Sequence, residues 1–178
     1  MTTYISFLRG VNVGGKVLPM ARLKQVCEEL KFANVRTYIQ SGNVVFIAGG
    51  SATALSRRIE AKIAADPGLS VRVITKTSSE LEAVIAKNPF LKEKNIDQTK
   101  LHVTFLFAAP TVTGLFKLAA VPAGPDRFHC AGTDVYLYCP EGYGGSKLAN
   151  PALERILGVT ATTRNWNTLN KLYEIAQD

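Results

Sequence analysis

The period of the hydrophobic pattern changes repeatedly between Thr3 and Thr75, and the order of those changes restricts the fold more than any other feature of the chain. Thr3 to Arg9 alternates too little for a half-exposed strand and reads as one buried on both faces. Met20, Leu23, Val26, Cys27 and Leu30 then share one face of a helix that Pro19 opens and that reaches about Lys31. Val35 to Gln40 and Val44 to Ala48 are rich in β-formers and are separated by Ser41, Gly42 and Asn43, the composition of a hairpin turn. A second helix follows Ser51, with Leu55, Ile59 and Ile63 in line, and stops at Asp66, Pro67 and Gly68. Val71 to Thr75 is a further strand. The predicted order is β-α-β-β-α-β, the ferredoxin-like pattern of two split βαβ units forming an antiparallel sheet with both helices on one face. Its other face needs a cover if Ile5 and Phe7 are to be buried, and the rest of the chain can supply one.

That remainder reads as a smaller mixed α/β subdomain. Ser79 with Glu82 predicts a capping box for a short helix through Leu81, Val84 and Ile85, ending before Asn88 and Pro89. Leu101 to Ala108 is a strongly apolar strand, and Pro110 and Thr111 introduce a helix carrying Val112, Leu115, Phe116 and Ala119. Arg127 to Ala131 and Asp134 to Cys139 form a hairpin about Gly132 and Thr133. A second glycine loop follows, with Gly142, Gly144, Gly145, Ser146 and Lys147, before a helix that Asn150 caps, Pro151 starts and Gly158 ends. TTRNWN at 162–167 leads into a last helix from about Asn167 to Ala176, with Thr163 or Asn165 as its cap and Trp166 as a buried anchor. The expected organisation is therefore a ferredoxin-like subdomain over 1–77, a connecting helix and loop over 78–98, and an α+β subdomain over 99–178, forming one compact unit without sequence repeats or long linkers.

A chain of 178 residues buries about 70% of its unfolded surface and needs no metal or disulfide to fold. No apolar run approaches the roughly 18 residues of a membrane span, and the first residues have neither a basic nor an apolar leader region, so a cytoplasmic location is expected. Cys27, Cys130 and Cys139 read as core thiols of a reducing compartment. The latter two share the apolar face of the hairpin with Phe128, Val135 and Leu137, too far out of register to bridge. Without a CxxC or a Cys/His cluster, no metal and no cofactor are expected. The net charge of +7 favours anionic partners, with Arg9, Lys16, Arg22, Lys24, Lys31 and Arg36 opposed only by Glu28 and Glu29 in the first fifty residues.

The chemistry concentrates in the loop after the first strand. Gly10, Gly14 and Gly15 permit positive φ, so their amides can converge on an anion, and Arg9 and Lys16 bracket them with charge. Gly10 to Lys16 matches G-x-x-x-x-G-K, but Val17 stands where a hydroxyl would hold Mg²⁺, and a hairpin rather than a parallel strand follows the helix. The loop therefore reads as a nest for a small phosphate- or carboxylate-bearing ligand rather than as the P-loop of a kinase or nucleotide hydrolase. Its expected contacts are Arg9, Gly10, Asn12, Gly14, Gly15 and Lys16, with Gln40, Ser41 and Asn43 of the hairpin turn. Lys147, Arg164 and Asn167 join them if the TTRNWN segment closes a cleft over the loop. The strands lack the paired stacking rings of an RNA-binding sheet, since Asn43 and Val45 stand where rings are wanted, which leaves weak nucleic-acid binding through charge as a second reading. A protein–protein interaction module is a third. No Ser/His/Asp order, HExxH or carboxylate pair identifies a catalytic group.

Seven stretches also carry a family resemblance: YISFLRGVNVGGK, VRTYIQSGNVVF, NPF at 88–90, LHVTFLF, GPDRF at 124–128, SKLAN at 146–150 and ATTRNWNTL at 161–169. Together they resemble the bacterial family called domain of unknown function 1697, over nearly the whole chain. The resemblance implies a cytoplasmic α+β protein of two subdomains, the first ferredoxin-like, and implies no activity or catalytic residues. Ala149 before Asn150 and Pro151 after it depart from the family pattern at a helix start.

Overall fold

In the computed structural model, which describes residues 1–178, the first apolar run is strand β1 (Thr2–Leu8), buried continuously from Tyr4. Consecutive burial from Tyr4 to Leu8 means that both faces of the strand are covered, since successive side chains point to opposite faces. β1 is an inner strand, hydrogen-bonded on one edge to β3 (Asn43–Ala48) and on the other to β4 (Val73–Thr77), while β2 (Ala33–Tyr38) extends the sheet beyond β3. The order is β2-β3-β1-β4 and every pairing is antiparallel. Two helices complete the arrangement. α1 (Met20–Glu29) buries Leu23, Val26 and Cys27, and α2 (Ala52–Ala65) buries Leu55, Ile59 and Ile63 and is capped by Ser51 Oγ, which accepts from Ala54 N at 3.2 Å. These side chains form one core with Leu8, Leu18, Val44 and Phe46.

α3 (Ser78–Ala86) begins directly after β4, and its cap differs from the predicted one. Glu80 N donates to Thr77 Oγ1 at 3.1 Å and Thr77 N to Glu80 Oε2 at 2.7 Å, a reciprocal capping box two residues upstream of Ser79 and Glu82. The shift follows from β4, which runs to Thr77 rather than stopping at Thr75, so the strand's last residue is the one available as cap.

A second four-stranded antiparallel sheet is built from β5 (Leu101–Leu106), β6 (Arg127–Ala131), β7 (Asp134–Tyr138) and β8 (Ala161–Asn165) in the order β6-β7-β5-β8. β6 and β7 close about Gly132 and Thr133, with Ala131 opposite Asp134, as predicted. α4 (Val112–Ala119) and α5 (Asn150–Leu157) lie between these strands in the chain, and α6 (Trp166–Gln177) follows β8. Asn150 was expected to cap α5; instead Ala149 is the cap residue, and the Tyr143 hydroxyl accepts from Asn150 N at 2.7 Å. The Asn150 side chain is engaged elsewhere, donating to Ala161 O at 2.9 Å and accepting from Thr163 Oγ1 at 3.0 Å. Gly158 ends α5 at φ 69°, and Asn165 Oδ1 caps α6 by accepting from Thr168 N at 2.8 Å.

The two sheets thus repeat one element order and one strand order. The repetition reaches individual side chains. Ser6 of β1 faces Thr75 of β4 across the ladder, hydroxyl to hydroxyl at 2.6 Å, and Thr104 of β5 faces Thr163 of β8 at 2.7 Å. Each pair has a third partner on the second helix of its unit, Ser56 Oγ donating to Thr75 at 2.8 Å and Asn150 accepting from Thr163. The compact units comprise Met1–Ala83 with Lys171–Asp178, and Val84–Asn170, so the connecting segment expected at 78–98 is shared between them.

Candidate functional site

Between β1 and α1 the chain makes a loop whose shape is set by one asparagine. Asn12 takes φ 57°, its N–H donates to Lys16 O at 2.6 Å, and its side-chain Oδ1 accepts from Leu18 N at 2.8 Å. Its Nδ2 donates to Leu18 O at 2.9 Å and to Gln40 O at 2.7 Å, so one side chain ties the loop to itself and to the β2–β3 turn. The backbone adds two further ties, Leu8 N to Gly42 O and Arg9 N to Arg72 O, each 2.9 Å. Gly42 is buried at φ 81°, where a Cβ would meet Val11 Cγ2 at 2.5 Å and Leu8 Cβ at 2.9 Å, so only glycine lets the turn lie against the loop.

The tip of the loop is open. Gly14 and Gly15 take φ 63° and 102°, nothing lies within 4 Å of where their Cβ atoms would be, and the exposed amides of Val13, Gly14 and Gly15 donate to no group of the protein. Lys16 Nζ donates to Ser70 O at 2.8 Å, which holds its charge beside the loop. α1 begins at Met20, four residues after this lysine, so the amides at the loop tip are not those of the helix's first turn.

The sequence-predicted residues fall into three groups. Arg9, Gly10, Asn12, Gly14, Gly15 and Lys16 form the loop, and Gln40 joins it through the carbonyl that receives Asn12. Ser41 and Asn43 meet each other, Asn43 Nδ2 donating to Ser41 Oγ and to Tyr38 O at 3.0 Å each, and Asn43 is fully buried, a brace for the turn. Lys147, Arg164 and Asn167 belong to the second unit. There, Arg164 lies on β8 with its guanidinium buried, donating to Thr162 Oγ1 at 2.8 Å and Thr163 O at 2.9 Å. Burial pushes its pKa down to about 10. Asn167 is exposed in the first turn of α6, and Lys147 is exposed beside a surface pocket of the second glycine loop.

Titratable groups elsewhere set limits on the chemistry. All three cysteines are free thiols, but burial pushes Cys27 up to about 12 and raises Cys130 and Cys139, so none supplies a ready thiolate. Burial lowers the pKa of His102, whose ring stacks on Tyr143 with centroids 4.5 Å apart. No three His, Cys, Asp or Glu side chains gather as a metal site, and no helix is long and apolar enough to cross a membrane.

The profile of a family described as Protein of unknown function (DUF1697) matches residues 1–136. No curated protein matches the chain. Among solved structures, the conserved bacterial protein SP0830 from Streptococcus pneumoniae is similar in fold at 21% sequence identity, with a TM-score of 0.74 over 98% of both chains.

Proposed function

Because the chain belongs to the DUF1697 family, whose description assigns no activity, we propose a function from its own geometry: the Gly10–Lys16 loop binds a small phosphate- or carboxylate-bearing ligand. The observation that carries this reading is the set of adjacent exposed amides, Val13 to Gly15, left without acceptors in a loop already braced by Asn12. Successive backbone N–H groups of a turn make an anion-binding concavity, and an anion bound there replaces water on those amides. Lys16 adds a cation beside the nest and Arg9 precedes it at the end of β1, each charge-assisted hydrogen bond contributing roughly 1.5 to 3 kcal/mol.

A thermal-shift series with inorganic phosphate, pyrophosphate, sugar phosphates and carboxylic acids tests this. A specific ligand at 100 times its Kd adds about 2.7 kcal/mol, a rise of roughly 2 to 4 °C for a chain of this size. Lys16→Ala is expected to abolish the rise while leaving the unliganded Tm nearly unchanged, and Arg9→Ala to abolish the rise in a chain that still folds. Equal stabilisation by every polyanion, fading as salt increases, would instead assign the charge to the surface at large.

One observation favours a second reading, a protein-binding role for the same loop. Val13, Val17 and Ile39 are exposed at 71%, 68% and 44%, and apolar side chains around a polar turn suit a protein partner. We also read each unit as ferredoxin-like, a view supported by the β-α-β-β-α-β order with antiparallel pairing, and the protein as cytoplasmic, a view supported by three cysteines that remain thiols.

A further inference from the structure

A pocket of about 300 Å³ lies against the second glycine loop, lined among others by Gly124, Asp126, Glu141, Gly145, Ser146 and Lys147. Its three ionised side chains are not spent on one another: Asp126, Glu141 and Lys147 enter no ion pair of the protein. Such charges are ordinarily scattered over solvated surface; here they line one concavity. Asp126 is half-buried and held in place, its Oδ2 accepting from Ser146 Oγ at 2.6 Å, while Ser146 Oγ also accepts from Leu148 N at 3.0 Å and so locks the loop around the carboxylate. That leaves Oδ1 of Asp126 for a ligand. Glu141 and Lys147 stand exposed on the rim.

We propose that this pocket binds a basic amino acid. Two carboxylates and one ammonium are complemented by a ligand with two cations and one anion. The α-carboxylate pairs with Lys147, and the α-ammonium and the side-chain cation pair with Asp126 and Glu141. The volume, the share of about ten water molecules in the liquid, suits a molecule of that size and is too small for a nucleotide to be enclosed. All the residues lining the pocket belong to the second unit.

Isothermal titration of the full chain with L-arginine, L-lysine, glycine and L-glutamate at constant ionic strength tests the assignment. L-Arginine or L-lysine is expected to bind saturably with one site per chain, and L-glutamate not at all. Glu141→Gln and Lys147→Ala, both on exposed side chains, should each weaken binding about tenfold, the loss of one charged contact. Lys16→Ala should leave this binding unchanged, which separates it from the anion loop. No heat or thermal shift from either basic amino acid up to about 10 mM, or unaltered binding in both Glu141→Gln and Lys147→Ala, would overturn the proposal.

Discussion

Asn12 determines the first loop more than its lysine does. One amide side chain satisfies Leu18 at both its N–H and its carbonyl and reaches Gln40, in an αL conformation that asparagine tolerates. The glycines around it divide by what surrounds them. Gly42→Ala would drive a Cβ into Val11 and Leu8 at positive φ and is expected to destabilise the protein by roughly 2 to 5 kcal/mol in urea unfolding. Gly14→Ala meets no atom within 4 Å and should cost only about 1 kcal/mol, from backbone conformation alone. The sequence singled out Gly14 and passed over Gly42 as ordinary turn composition, because a glycine required by a neighbour's volume looks the same in sequence as one required by its own φ. Asn43 was legible as a turn residue but not as a buried brace, since its partners Tyr38 and Ser41 are set by the closed turn.

At the level of elements, the inner strands of the two sheets are fastened by polar contacts inside an apolar layer. Ser6 and Thr104 are completely buried, so each hydroxyl depends on its partner across the ladder. Thr75→Val preserves shape and removes the hydroxyl that Ser6 and Ser56 share, leaving two buried hydroxyls without it. Equilibrium unfolding should show a loss of about 1 to 3 kcal/mol, and Ser6→Ala combined with Thr75→Val should cost less than the sum of the single changes. Helix positions were readable because i, i+3 and i+4 spacing and caps such as Ser51 and Asn165 are local. β8 was not, because Thr162, Thr163 and Arg164 carry no alternating apolar signal. Its strand character comes from pairing with β5, from Ala161 opposite Leu106 to Asn165 opposite His102.

For the whole molecule, the shifted groups that titrate in acid act in one direction. Lys62 and Arg22 hold the Glu29 carboxyl below its ordinary value, Arg127 does the same for Glu93, and the Thr99 hydroxyl and amide for Asp97. A carboxyl depressed in the fold takes up protons more readily when unfolded, so its stabilisation is present above about pH 4.3 and is lost as pH falls through the depressed value. His102 adds to this at higher pH. Burial lowers its folded pKa, the unfolded imidazole protonates first near pH 6.5, and stability falls as the pH drops below that value. Urea midpoints measured from pH 8 to pH 3 should therefore decline in two stages, with the upper stage absent in His102→Gln.

Sequence alone determined what is local: the periodicities that place most strands and helices, the glycine loop with its flanking charges, the Gly132–Thr133 turn, and membership of the family through motifs such as YISFLRGVNVGGK and ATTRNWNTL. Tertiary structure decided that the second half repeats the strand order of the first, that a strand of ATTRN closes the second sheet, and that Asp126, Glu141 and Lys147 share one pocket. The reason is physical. Strand ladders are made of backbone groups that nearly every residue carries, so two stretches with little side-chain likeness can take the same place in a sheet, and a pocket depends on which loops those sheets bring together.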